Sequence, residues 1–331
     1  MLTNQDFTHE RRHYLGGSDI GALLGLSSYK TPLDLWLEKT GKVNTHEDSL
    51  PLRFGSFAEE FVASEYAKVT NSRVIADDRM VLHPEYAHFR AHIDRFVFTQ
   101  NNQGNDLNPN ENHAPQVFNQ NGQCLAQYLL ECKTTSPFMQ HHWGEEGTAN
   151  IPLSYLCQCA WYLAVTQMGR IDLAVLIGNS ELRSYVITRD WELEKLLIQK
   201  ANYFWSEYVQ KDCPPKPTTE KDYLKLFPKS IPSKSIEAKP EILSQIEKYK
   251  RLNEKIKADE TKISEIKMAL MQEMGEAEIL CLNKEVLITW KQTKGSVRFD
   301  TKRFEQDYPE LALRYQIQGE GTRRFTVKNP S

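Results

Sequence analysis

The stretch that most constrains this chain is Leu129-Leu130-Glu131-Cys132-Lys133-Thr134-Thr135. It reads as a short buried strand, yet it carries a carboxylate and an ammonium two residues apart. Side chains alternate across a strand at about 3.3 Å per residue, so Glu131 and Lys133 share one face, about 7 Å apart. Leu130 and Cys132 point the other way, into a core. Two charges on one face of an apolar strand are costly unless something pairs with them or uses them. A second strand is expected upstream, from Phe89 to Phe98, and it brings Asp94. Aspartate, then Glu-x-Lys on a neighbouring strand, gives two hard oxygen ligands for Mg²⁺ and a cation beside an activated water. Glu-x-Lys alone is common; the apolar strand around it and Asp94 before it give it weight.

A chain of 331 residues can bury a sizeable core and is expected to hold one large domain plus an appendage. Its 41 basic residues against 44 acidic ones announce no global affinity for nucleic acid. No apolar run approaches the roughly 20 residues of a membrane span, and the N-terminus lacks a signal-peptide apolar stretch. The six cysteines (Cys124, Cys132, Cys157, Cys159, Cys213, Cys281) are scattered without a CxxC pair. That points to a reducing cytosol and away from a disulfide framework or zinc site. Cys157 and Cys159 read as small core residues of a helix.

From Arg11 to Gly21 two glycines precede a Ser18-Asp19 pair and an apolar run, which looks like a tight loop feeding an N-capped helix. Such a start can receive an anion, and Arg11 and Arg12 can offer donors to phosphate. On these residues alone a plain helix cap accounts for the segment. A second helix starts at Thr31-Pro32 and ends near Gly41. A third runs from Leu52 to about Val69, with Phe54, Phe57, Phe61 and Ala58 as its inward stripe. Glu59 falls near the edge of that stripe, where it either reaches a metal or stays solvated.

The polar, asparagine-rich stretch 100–127 reads as an insertion between the two strands. His141 and His142 lack matching histidines elsewhere and read as surface or groove residues. A helix from Ile151-Pro152 carries Tyr155 and Gln158, a hairpin joins Ile171–Ile177 to Leu182–Ile187, and a helix from Asp190 to Gln210 closes the domain. The order gives an α/β core with a mixed central sheet. Residues 1–212 form that domain, 213–240 a proline-marked linker, and 241–331 a long helix to about Gly275 with a small α+β tail. In the tail, Glu285–Trp290 and Arg324–Val327 read as strands around a short helix from Thr301 to Tyr308.

These motifs in order — Arg11 to Gly21, Phe54-Gly55-x-x-x-Glu59, Asp94, Glu131-x-Lys133 and Tyr155-x-x-Gln158 — resemble the YqaJ-like viral recombinases. Those are relatives of the phage lambda exonuclease with the PD-(D/E)xK nuclease fold. The resemblance spans about residues 8–210 and extends to the tail through Thr289-Trp290-Lys291. It implies that Asp94 and Glu131 ligate Mg²⁺ or Mn²⁺, two ions per site, with Glu59 and the Cys132 backbone carbonyl assisting. It implies that Lys133 orients or activates the attacking water and Gln158 helps fix it. Arg11, Ser18 and Arg12 would hold the 5′-phosphate of the digested strand, which reverses the plain-cap reading.

The implied activity is a 5′-3′ exonuclease on double-stranded DNA ends, leaving 3′ single strands for phage-type recombination. The implied partners are a single-strand annealing protein and further copies of the chain in a trimeric ring, in the cytoplasm of a bacterial host. Two departures stand out: Ile93 replaces the usual proline before the aspartate, and Asp94 and Glu131 lie unusually far apart. Other readings stay open here: a site- or structure-specific endonuclease, an iron–sulfur single-strand nuclease that the cysteines do not suit, or an inert DNA-binding scaffold.

Overall fold

The computed structural model describes residues 10–43, 49–99, 117–319 and 321–328. The chain divides into two compact units, Met1–Tyr223 and Leu224–Ser331.

The first unit begins with α1 (Gly17–Leu23), α2 (Pro32–Lys39) and α3 (Leu50–Thr70). Strands β1 (Ser72–Ile75), β2 (Val81–Leu82), β3 (Arg90–Ala91), β4 (Arg95–Thr99) and β5 (Tyr128–Thr135) follow. Then come α4 (Leu153–Thr166), β6 (Arg170–Ile177), β7 (Glu181–Thr188) and α5 (Trp191–Tyr203). One sheet runs β1-β4-β5-β6-β7; only β5 and β6 are parallel, joined by the crossover through α4. This is the mixed central sheet expected from the element order.

Strand β5 lies at the centre, and its two faces meet different helices. Leu130 and Cys132 pack with Val62, Ala63 and Tyr66 of α3. Full burial of side chains such as Leu130 and Val62 contributes about 1.5–3 kcal/mol each. Glu131 faces the other way, under Gln158 of α4. Both faces are therefore covered, and Glu131 is only 1% exposed.

The expected strand Phe89–Phe98 is broken in two. Arg90–Ala91 pairs with Val81–Leu82 in a separate small ladder, whereas Arg95–Thr99 joins the main sheet. Asp94 sits at the break, immediately before β4. Because β4 and β5 are antiparallel, the start of β4 and the later half of β5 share one end of the sheet. The β4–β5 connection therefore emerges at the opposite end. Of the expected insertion, residues 100–116 lie outside the described residues. In the remainder Val117 and Ala126 are buried and the Phe118 ring meets Phe96 at 5.5 Å, while residues 120–123 are exposed.

Of the stripe expected to face inward on helix α3, only Ala58 is buried. Phe54, Phe57 and Phe61 are exposed, and Ala58, Val62, Ala63 and Tyr66 are buried. Helical spacing alone cannot choose between two apolar faces. The small Ala58 and Ala63 let the helix axis approach the sheet, where phenylalanines would hold it away. Helix α2 matches its expectation, with Thr31 accepting from Asp34 N and Pro32 in the first turn. Helix α1, by contrast, starts at Gly17 with Gly16 as N-cap. Ser18 is inside the first turn and caps nothing; Asp19 instead accepts from Gly16 N at 3.0 Å.

Within the stretch expected as linker, Glu220–Leu226 forms a helix, α6, and Asp222 accepts from Thr31 Oγ1 at 2.9 Å. In the second unit α7 spans Pro240–Met274, and β8 (Ile279–Leu282) pairs antiparallel with β9 (Glu285–Thr289). Tyr249, Leu252, Ile256, Ile263, Ile266 and Leu270 on α7 are exposed. Two short helices follow, α8 (Thr301–Asp307) and α9 (Pro309–Arg314). Arg324–Val327 forms no strand; Phe325 instead meets the Tyr249 ring at 6.0 Å. No helix among the described residues is long and apolar enough to cross a membrane.

Candidate active site

Asp94 and Glu131 come together at one end of the sheet although 37 positions separate them. Asp94 Oδ2 accepts from the Cys132 backbone N–H at 2.9 Å. A strand residue turns its N–H and C=O to the same edge, so the Cys132 carbonyl is also on the Asp94 side. Lys133 Nζ donates to Glu131 Oε1. Gln158 Nε2 donates to the same oxygen at 2.6 Å and reaches the Tyr162 hydroxyl at 2.8 Å.

The second Glu131 oxygen, Oε2, is buried without a hydrogen-bond partner. Burial, and then the Asp94 carboxylate, push the Glu131 carboxyl up to about 8. Burial opposes the Lys133 charge, but Glu131 and then Asp94 outweigh it and hold the ammonium protonated well beyond the usual lysine range. Two carboxylates are thus forced together with one orphaned oxygen, an arrangement that a divalent cation relieves. The donors are hard oxygens, suited to Mg²⁺ or Mn²⁺. Among the described residues no three His, Cys, Asp or Glu side chains gather closely enough to hold an ion by themselves. Asp94 and Glu131 are the paired ligands that fit, with the Cys132 carbonyl beside them. Glu59, on α3, feels Asp94 and Lys133; burial and then Asp94 raise its carboxyl above the usual range.

A second cluster surrounds α1. Arg11 Nη2 donates to Ser18 Oγ at 3.0 Å, so the structure brings these two residues together. The loop is fixed by Leu15, whose N–H donates to His88 O at 2.8 Å and whose carbonyl accepts from Arg90 N at 2.9 Å. Gly17 presses against α4: a Cβ there would lie 2.4 Å from the Tyr162 ring. That contact ties the Arg11–Ser18 loop to the residue that holds Gln158.

The sequence reading missed Tyr162, Asp19, Lys30 and Lys39. Tyr162 stands four residues after Gln158, the spacing that puts two side chains on one helix face. Asp19 is 1% exposed; Lys39 Nζ pairs with its Oδ2 at 2.7 Å, and Arg11 and Lys30 each stand 3.6 Å from its Oδ1. Burial opposes the Asp19 charge, but Lys39, Lys30 and Arg11 outweigh it and hold the carboxyl far below the usual range. His141 and His142 are exposed, and Trp143 is buried between Tyr155 and Tyr185. Cys157 and Cys159 are both buried, as expected.

Residues 6–169, which contain both clusters, match the YqaJ-like viral recombinase domain. The YqaJ protein of Bacillus subtilis (strain 168) is 28% identical over 337 residues, covering 100% of this chain and 96% of the relative. An alkaline exonuclease (LHK-Exo) from Laribacter hongkongensis resembles it in structure with a TM-score of 0.45 and 15% identity, over 67% of this chain and 97% of that one. A phage related exonuclease from Haemophilus somnus 129PT gives 0.42 and 10%, over 62% and 98%. The matched domain here is a mixed five-stranded sheet flanked by helices, with Asp94 leading one strand and Glu131-x-Lys133 on the next.

Proposed function

We propose that this chain is a divalent-metal-dependent 5′-3′ exodeoxyribonuclease. It digests linear double-stranded DNA from 5′-phosphorylated ends and leaves 3′ single strands for recombination by strand annealing. The observation that carries this reading is Glu131: buried, paired with Asp94, and holding one oxygen without a partner beside the protonated Lys133.

Asp94, Glu131 and the Cys132 carbonyl are the groups that would hold the metal. When bound, Mg²⁺ or Mn²⁺, two ions by the family resemblance, supplies Lewis-acid charge at the scissile phosphate. Lys133, protonated, orients the attacking water and faces the negative charge that develops on the phosphate. The water oxygen forms the new bond to phosphorus, the bond to the 3′-oxygen breaks, and that oxygen takes up a proton. Gln158, itself held by Tyr162, fixes Glu131 Oε1 so that Oε2 stays turned to the site. Glu59 adds negative charge close to Asp94. Arg11 and Ser18, and by the family resemblance Arg12, receive the terminal phosphate and set the product at a single nucleotide.

End-labelled linear duplex and closed circular DNA, each with and without EDTA, test this. Release of 5′-mononucleotides from the linear form alone, dependent on metal, is expected. Asp94→Ala and Glu131→Ala should be inactive, and Lys133→Ala should bind Mn²⁺ yet turn over slowly. Full activity in EDTA or in Asp94→Ala would refute the reading. With a net charge of only −3, bulk electrostatics give the chain no grip on duplex. A closed homotrimer around the DNA, delivering its product to an annealing protein, completes the proposal; light scattering checks the oligomer.

A further inference from the structure

We infer that Lys30 is a further donor to the terminal phosphate, forming with Arg11 a two-cation clamp that the buried carboxylate of Asp19 assembles. The inference rests on the proposed end-binding role of the Arg11–Ser18 loop.

The argument begins with the unequal treatment of the two Asp19 oxygens. Oδ2 is satisfied, accepting from Gly16 N at 3.0 Å and pairing with Lys39 Nζ at 2.7 Å. Oδ1 is buried and has no hydrogen-bond partner, yet Arg11 Nη2 and Lys30 Nζ both stand 3.6 Å from it. That separation gives electrostatic attraction without a hydrogen bond. The two cations are therefore drawn to one point while their N–H groups aim elsewhere. Their nitrogens lie no more than twice that distance apart, and a phosphate can reach both with contacts of about 2.8 Å.

Exposure separates the three cations around Asp19. The Lys39 side chain is fully buried, which makes it the internal counter-ion. The Arg11 and Lys30 side chains are 46% and 25% exposed, so both can meet a ligand from solvent. Charge favours an anion as well. Arg11, Lys30 and Lys39 face Asp19 and Glu38, which leaves one positive charge in excess. A terminal phosphomonoester carries about −1.5 to −2 near neutral pH, and a hydroxyl end offers no such charge. Lys30 also donates to Glu38 Oε2 at 2.5 Å. The competing explanation is thus that Lys30 serves only to pair Glu38.

The two explanations differ in what happens when Glu38 is changed instead. Fluorescence anisotropy in EDTA would compare binding of full-length protein to 5′-phosphorylated and 5′-hydroxyl blunt duplexes. Wild type should prefer the phosphorylated end. Lys30→Ala should reduce that preference on the order of tenfold, the size of one charge-assisted contact, and Lys30→Arg should retain most of it. Glu38→Gln removes the ion pair but keeps the cation, and should retain the preference. Equal loss in Lys30→Ala and Glu38→Gln, or no loss in Lys30→Ala, overturns the clamp. A wild type that hydrolyses linear duplex but binds both ends alike overturns the clamp and leaves the nuclease reading standing. A wild type with a Lys30-dependent end preference but no hydrolysis supports the clamp and removes the nuclease reading.

Discussion

Replacing Glu131 with glutamine should stabilise the metal-free chain at alkaline pH while abolishing turnover. Glutamine keeps the shape and the acceptor oxygen that Lys133 and Gln158 use, and it removes the buried charge facing Asp94. The folded carboxyl is pushed from an ordinary 4.5 up to about 8, so between those values the folded state binds more protons than the unfolded one. Unfolding free energy must then fall as pH rises, by at most about 1.4 kcal/mol per pH unit. The contribution is fully present below the unfolded value and is lost as pH passes the folded one. Across the window the loss is at most on the order of 5 kcal/mol, and the glutamine variant escapes it. Urea unfolding in EDTA near each end of the window measures the difference between the two proteins. His83 and His88, each lowered by burial, tilt stability the opposite way, but they are common to both proteins and cancel in the difference. Added Mn²⁺ should stabilise wild type and close the gap. Parallel pH curves for the two proteins, or a variant less stable than wild type near pH 8, would show the reasoning to be wrong.

Gly17→Ala should cost about 1–3 kcal/mol in chemical denaturation, because its Cβ meets the Tyr162 ring at 2.4 Å, and it should slow turnover by disturbing Gln158. Thr31→Ala should cost about 1 kcal/mol through loss of a true helix cap, whereas Ser18→Ala should stay within about 0.5 kcal/mol; thermal unfolding of the pair decides whether Ser18 caps. On α3, Val62→Ala should cost about 2 kcal/mol and Phe57→Ser less than about 0.5 kcal/mol, which denaturant midpoints would separate.

The sequence made β5 legible because an apolar run with two charges on one face has few alternatives. Asp94 was legible as a residue, but its setting was not. The break between Ala91 and Arg95 arises from pairing with two different ladders, and pairing partners are not written in a single segment. The long gap to Glu131 proved geometrically unimportant, since antiparallel pairing returns the chain to Asp94 whatever lies between. Helix α3 shows the opposite failure: the Phe54, Phe57 and Phe61 stripe is the more hydrophobic, yet Ala58, Val62, Ala63 and Tyr66 are the residues buried. Ser18 was misplaced by two positions because Gly16 can cap a helix without a side chain, and Asp19 then completes the turn from inside. Lys30 and Lys39 carried no signal at all. Their approach to Asp19 depends on how α2 packs on α1, a tertiary fact with no periodicity to betray it.

The placement of the β4–β5 connection has a practical consequence. It leaves the sheet at Thr99, five residues beyond Asp94, which along an extended strand is about 17 Å. A cysteine at Thr99 could carry a fluorophore near enough to sense an arriving duplex and too far away to touch the chemistry. Such a label would let arrival of the DNA be timed separately from cutting, in a protein whose Asp94 and Glu131 have been left untouched.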